Sequence, residues 1–216
     1  PGTFGVDVYV YPDSGGAEVT ALISHNGDLL AFTKSSVYSL KDFNNPVPLS
    51  RGVGCVAPRS LAARRDGLLI WLGRDGFYGL KPGEPIQQIS APIDRTIRSG
   101  LNRGRMQMAT AVVDPTSGEY RCAVAEAGTN QNRLVLCFDG QGWRRLKLAM
   151  HIVDWCRTDD WRQYVIASAT DEKLRSKSLD TATNVYVMDR EVINYIPPTR
   201  TIKYRSDWLR SDSLAM

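Results

Sequence analysis

The sequence predicts an all-β fold: a β-propeller-like repeat of antiparallel hairpins, with one short inserted helix near 91–105. Two observations carry the prediction. The first is an ungapped internal repeat. The fifteen residues Asn26–Leu40 reappear 40 positions later as Asp66–Leu80. Gly27 falls on Gly67, Leu29 on Leu69, Leu30 on Ile70, Lys34 on Arg74, Tyr38 on Tyr78 and Leu40 on Leu80. Periods of roughly 20–50 residues mark stacked or radially repeated units. Each copy reads turn, apolar run, turn, apolar pair, which is a hairpin of the kind that builds propeller blades. The second observation is a helical stripe. Ile93, Ile97 and Leu101 fall at i, i+4 and i+8, the spacing of one helix face.

Taken in order, residues 3–12 alternate as a strand does, and Asp13–Gly16 reads as a turn or linker. We therefore divide the chain into an N-terminal strand and linker from a preceding region (1–16), a propeller-like domain (17–210) and a truncated C-terminal end (211–216). The opening Pro1 and the close of the chain inside a strand-like pattern suggest a piece of a longer polypeptide. Val19–Ser24 and Leu29–Thr33 are expected as strands around the turn His25–Asp28, where Asn-Gly is a strong hairpin signal. This placement makes His25 a surface residue. Residues 41–54, rich in Pro, Gly and polar side chains, read as a loop between blades. The second repeat copy follows.

Ser90 is a candidate N-cap and Pro92 suits a first helical turn. The helix is expected over 92–103, with Ile93, Ile97 and Leu101 inward, Arg95 and Arg98 outward, and a break at Gly100 or Gly104. Strands then resume at 109–113, 120–125, 134–138, 143–148, 153–156, 164–168, 184–188 and 201–205. Residues 169–183 read as a long polar loop. About a dozen strands make three to four blades.

Composition is ordinary for a globular domain, with 43% hydrophobic and 23% charged residues among 216. A net charge of +4 is too weak by itself to imply nucleic acid. No apolar run approaches a membrane span. Cys55, Cys122, Cys137 and Cys156 form no C-x-x-C pair, and they read as buried, reduced thiols.

Catalytic signals are sparse. Asp159 and Asp160 adjoin Trp161, and a carboxylate pair beside an aromatic is what glycoside hydrolysis would need. Adjacent residues in a turn more ordinarily cap it. The Asp-Gly steps at 66–67, 75–76 and 139–140 lack calcium-loop spacing, and turn chemistry explains them. His25 and His151 stand apart from any nucleophile, and no glycine-rich phosphate loop is present. The sequence therefore points to no catalytic residue, no metal and no cofactor, and so to a protein that is not an enzyme. Arg59, Arg64, Arg65 and Arg74 cluster in the second repeat, and Arg144, Arg145 and Lys147 follow Trp143. These read first as solvated surface and second as a polyanion- or subunit-facing one. Arginine is favoured at protein interfaces. The candidate interface residues are thus Arg95, Arg98, Arg103 and Arg105 of the helix, with Lys173, Arg175 and Lys177 of the long loop.

Several segments together resemble a known family. They are His25–Tyr38, Gly54–Leu61, Asp66–Tyr78 and Gln88–Ile93, with Gly140–Arg145 and Asn184–Arg190 later in the chain. They are similar to the β-propeller portion of tailed-bacteriophage tail proteins, the nozzle or tubular proteins of short-tailed phages, over about residues 17–210. The resemblance implies a structural virion component, assembled in the host cytoplasm and located in the tail. Its partners would be identical subunits in a ring around the genome-exit channel, other tail and adaptor proteins, and passing DNA in transient contact. It implies no active site and no membrane segment. Two alternatives stand beside it: a non-viral propeller scaffold or binding module, and a propeller glycoside hydrolase. The Trp-Asp signature of WD40 repeats is absent, since Asp154 precedes Trp155.

Overall fold

The computed structural model describes residues 17–42, 44–148, 151–157, 163–168 and 184–187. Four antiparallel sheets follow one another along the chain. The first is β1 (Val19–His25), β2 (Asp28–Thr33), β3 (Ser36–Ser39) and β4 (Val47–Arg51), hydrogen-bonded in that order. The second is β5 (Ala62–Ala63), β6 (Leu69–Leu72), β7 (Phe77–Leu80) and β8 (Gln87–Gln88). The third is β9 (Thr110–Val113), β10 (Tyr120–Ala125), β11 (Asn132–Phe138) and β12 (Trp143–Lys147), and the fourth contains β13 (His151–Arg157), β14 (Gln163–Ser168) and β15 (Asn184–Val187). Each sheet is a sequential meander, as blades of a β-propeller are.

The 40-residue repeat is structural. Ala31 pairs with Tyr38 across β2 and β3, and Trp71 pairs with Tyr78 across β6 and β7. Phe32 pairs with Val37, and Leu72 with Phe77. Gly27 and Gly67 take φ of 77° and 79° at equivalent turns, a left-handed conformation that glycine adopts without strain. In the first turn Asn26 shares it, with φ of 51°, which suits the right-handed twist of a tight hairpin.

Alternation along the strands divides side chains between two faces, and the repeat keeps the same division. Leu30, Phe32 and Val37 of the first blade meet Leu69, Trp71 and Leu80 of the second in one cluster. Ile70, Leu72 and Phe77 turn the other way, onto Tyr120, Cys122, Leu134 and Leu136 of the third. Ala123, Val135 and Cys137 leave the third blade toward Ile152 of the fourth. Blade 2 is therefore buried on both faces, and Leu69, Ile70, Trp71 and Leu72 have no exposure. Trp71 packs edge-on against Phe32 at 5.2 Å and donates its indole N–H to the Gly54 carbonyl at 3.1 Å.

Three expectations need correction. The stretch 41–54 is not wholly a loop, because it contains β4, an almost fully exposed outer strand. An edge strand tolerates proline and needs no apolar alternation, so its sequence looked like a linker. The helix α1 is shorter than 92–103. It spans Asp94–Gly100 and lies between 3-10 turns at Ala91–Ile93 and Arg103–Met108. Its end is set by tertiary pairing: Leu101 is extended and bridges Glu126, and the Asn102 amide donates to the Ala125 carbonyl. The stripe nonetheless faces inward as expected, with Ile97 and Leu101 buried and Ile93 packed against the same cluster. Ser90 does not cap the helix; its hydroxyl accepts the Phe77 amide at 2.9 Å. Third, His25 is buried rather than on the surface, and its Nε2 accepts from Asn26 Nδ2 at 2.8 Å. The strand at 201–205 and the loop at 169–183 lie outside the described residues.

Candidate functional site

In a meander, the turns between first and second strands share one end with those between third and fourth strands. The turns between second and third strands share the other end with the blade-to-blade crossovers. The crossover end carries α1, the β2–β3 turn with Lys34 and the β6–β7 turn with Arg74. Arginine placement there is uneven. Arg95 is exposed on α1, and Arg98 is exposed while pairing with Asp94 one turn back at 2.7 Å. Arg103 reaches to the Arg74 carbonyl at 2.5 Å and lies 4.0 Å from Asp75. Arg105 donates to the Asn130 carbonyl at 3.5 Å. Arg103 and Arg105 thus fasten the insertion onto the turns of blades 2 and 3, while Arg95 and Arg98 present charge outward. Asn102 helps the fastening, donating to the Thr129 carbonyl at 2.6 Å and accepting the Gly104 amide at 3.1 Å.

Beside the 3-10 turn Arg103–Met108 a cleft of about 630 Å³ is lined by Lys34, Val56, Arg74, Arg103, Met106 and Gln107. Lys34 and Arg74 are repeat equivalents, so two blades contribute a cation at matching places. Among the described residues Lys34 pairs with Glu18 at 3.5 Å, and both side chains are largely exposed, so screening leaves that pair weak. The cleft is cationic and open, suited to an acidic surface.

Other residues singled out in the sequence have structural roles. Asp139 accepts the Gln141 and Gly142 amides, both at 2.8 Å, and Asp66 accepts the Leu68 amide at 3.2 Å; these are turn bonds. His151 Nδ1 accepts the Asn132 amide at 2.9 Å. Burial, with Arg105 and Arg133 nearby, pushes the His151 pKa down. Cys55, Cys122 and Cys137 are buried free thiols, and burial pushes each up to about 12; such thiols are poor nucleophiles. Arg59 lies 3.7 Å from Asp154, and Arg64 sits 3.3 Å from Asp66 and over the Phe138 ring. Among the described residues no three of His, Cys, Asp and Glu gather into a metal-sized group. Asp159, Asp160, Trp161, Lys173, Arg175 and Lys177 lie outside the described residues.

One charged cluster escaped the sequence reading. Arg121 is only 3% exposed, and it bonds Asp114 at 2.6 Å and Glu119 at 2.9 Å. Arg144 closes the set on Glu119 through two bonds of 2.6 Å. The signal was an arginine inside the apolar run of β10, which needs buried carboxylates to balance it. Burial alone would raise the Asp114 carboxyl; the Ser117 amide, the Arg121 guanidinium and the Thr116 amide outweigh it and hold the carboxyl below its ordinary value. Glu119 is likewise raised by burial and held low by Arg144 and Arg121. No described helix is long and apolar enough to cross a membrane.

No family model and no curated protein matches the sequence. Solved structures do. One is the extracellular domain assigned to a one component system from B. thetaiotaomicron, 9% identical at a TM-score of 0.53, covering 88% of this chain and 24% of that one. Another is the GH74 xyloglucanase from Xanthomonas campestris, 13% identical at a TM-score of 0.50, covering 69% of this chain and 27% of that one. The chain spans about a quarter of the length of each. At these identities the likeness establishes a β-propeller-like fold, and it carries neither protein's activity to this chain.

Proposed function

We propose that the chain is a structural assembly module and not an enzyme. In its specific form it is the propeller portion of a short-tailed phage tail protein, one subunit of a ring around the genome-exit channel. The specific form rests on the sequence resemblance over about residues 17–210. The observation that carries the assembly reading is the insertion between blades 2 and 3. It is held rigidly by Ile97, Leu101, Asn102, Arg103 and Arg105. It displays Arg95 and Arg98 on its exposed side. In a closed ring this surface would meet a different surface of the next subunit, a heterologous contact. Acidic groups of a neighbouring subunit or of an adaptor protein are the complementary partner, and the cationic cleft takes Arg103 from the same insertion. Passing DNA is a transient contact in this reading, and the virion tail is the location.

The test is Arg95→Glu with Arg98→Glu. Both positions are exposed, so solvent screens the like charge that the second change sets one turn from Asp94. The expected result is an unchanged thermal transition with loss of rings in negative-stain images and loss of incorporation into phage particles. Rings indistinguishable from those of the unaltered protein would refute the helix as an interface. Glycan hydrolysis by the purified chain, abolished by Asp159→Asn or Asp160→Asn, would refute the structural reading itself.

A further inference from the structure

Four separate stretches of chain converge on the cleft beside the Arg103–Met108 turn. Lys34 comes from the β2–β3 turn, Val56 from the crossover to blade 2, and Arg74 from the β6–β7 turn. Arg103, Met106 and Gln107 come from the insertion. Three of these stretches bring one cation each, and among the described residues no carboxylate lines the wall. A cavity of about 360 Å³ at the opposite end differs, because Asp28 and Glu84 stand there with Lys41 and Lys81. The surroundings of the cleft carry the same sign. Over the described crossover-end segments 34–35, 52–61, 73–76, 89–109 and 126–131, Lys34, Arg59, Arg74 and the four arginines of the insertion outnumber Asp75, Asp94 and Glu126. Asp75, 4.0 Å from Arg103, offsets only part of that excess.

The wall is held in place by bonds within the chain. Arg103 donates to the Arg74 carbonyl at 2.5 Å, and the Val56 amide donates to the Leu72 carbonyl at 3.1 Å. The turn that carries Lys34 is fixed by the Thr33 hydroxyl, which accepts the Ser35 and Ser36 amides at 3.2 and 2.9 Å. Groups held in this way lose less freedom when a partner binds. Between the cations the wall is apolar. Val56 is half-buried and Met106 keeps 7% of its surface, and the methylene stems of Lys34 and Arg74 add to it. A cleft of about 630 Å³ has room for several side chains rather than one small anion. No aromatic ring lines the described wall, so bases of a single strand would have nothing to stack on. That favours a peptide over a nucleic acid.

We propose that this cleft docks an acidic peptide segment of a neighbouring protein, with an aliphatic residue between its carboxylates. The carboxylates accept from Lys34, Arg74 and Arg103 in charge-assisted hydrogen bonds, and the aliphatic side chain packs on Val56 and Met106. The proposal rests on the assembly reading for the source of the segment and on the cleft for its chemistry.

Fluorescence anisotropy of the full chain with a short labelled peptide, leucine between two pairs of glutamates, tests it. The expected result is saturable binding that salt weakens. Glutamines in place of the glutamates should abolish binding, and serine in place of the leucine should weaken it by about 10-fold. Lys34→Gln with Arg74→Gln changes two exposed turn residues. That variant should keep the thermal transition and bind the peptide about 10-fold or more weakly. Arg95→Glu with Arg98→Glu should bind it nearly as well as the unaltered protein, so loss of rings and loss of docking are read separately. Absence of saturable binding at millimolar peptide, equal binding of the glutamine or serine peptide, or unchanged binding by Lys34→Gln/Arg74→Gln would each overturn the proposal. So would an oligothymidylate that binds more tightly than the peptide and loses affinity in the same variant. None of these outcomes touches the helix as a ring contact, which stands or falls with Arg95 and Arg98.

Discussion

Arg121→Met should unfold the protein at a markedly lower temperature, and acid should reduce the difference. The guanidinium is 3% exposed and lies between side chains of Asp114 and Glu119 that are 10% and 6% exposed. Methionine fills much of the same volume but leaves two buried carboxylates facing each other's charge. Removing one member of a buried ionic cluster costs about 3–5 kcal/mol. Glu119 keeps its two bonds to Arg144, and the Thr116 and Ser117 amides still bond Asp114, which places the expected loss near the lower end. For a chain of this size each kcal/mol moves Tm by ~2–4 °C, so a loss of about 3 kcal/mol lowers Tm by about 6–12 °C at pH 7. The pH dependence has a definite sign. In the unaltered protein Asp114 and Glu119 are held low, so their stabilisation is present above the ordinary carboxylate range and is lost as pH falls through the folded values. In the variant the opposing cation is gone and burial raises the Asp114 carboxyl. Protonation then relieves the penalty, and the gap between the two proteins narrows below about pH 5. Thermal unfolding followed by circular dichroism at pH 7 and pH 4.5 measures both effects. A Tm loss under about 2 °C, or a gap that widens in acid, would refute the view that Arg121 is paired to balance buried charge.

Two further outcomes follow from the same structure. His151 is held below the ordinary histidine pKa, so the unfolded chain binds a proton that the folded state refuses; stability should fall as pH drops from about 7.5 to 5.5, by at most ~1.4 kcal/mol per pH unit, and urea midpoints of His151→Gln should lose that slope. Gly54→Ala would press a Cβ onto the backbone of Thr33, Lys34 and Ser35 and should cost about 3 kcal/mol by overpacking, whereas Gly142→Ala, with nothing within 4 Å of the added carbon, should leave the urea midpoint nearly unchanged.

Three features were legible from residues alone, because each is set by local chemistry that repeats. The Asn26–Leu40 and Asp66–Leu80 copies specify matching hairpins, since Gly27 and Gly67 supply the same left-handed turn and the apolar positions alternate in the same phase. The inward Ile97 and the outward Arg95 and Arg98 follow from 3.6-residue spacing. The burial of Cys55, Cys122 and Cys137 follows from their apolar neighbours.

Other features depend on partners distant in the chain. The helix stops at Gly100 because Leu101 and Asn102 gain a backbone bridge to Ala125 and Glu126, a pairing that no local propensity encodes. The four arginines of the insertion look alike in sequence, yet Arg103 and Arg105 are drawn to carbonyls at Arg74 and Asn130 while Arg95 remains exposed. His25 closes a hairpin strand and is buried all the same, at an end where residues 80–84 of the next blade share a cavity wall with it. Arg121 can lie in the core because Asp114 and Glu119 of the β9–β10 turn converge on it, and Arg144 of β12 holds Glu119 in place. Side-chain order along the chain was enough to settle which hairpins repeat and which faces are apolar, since turn chemistry and alternation are local. Which charged groups are paired within the fold was settled only by folding, because a charge is paired or exposed according to what the three-dimensional packing brings within about 3 Å of it.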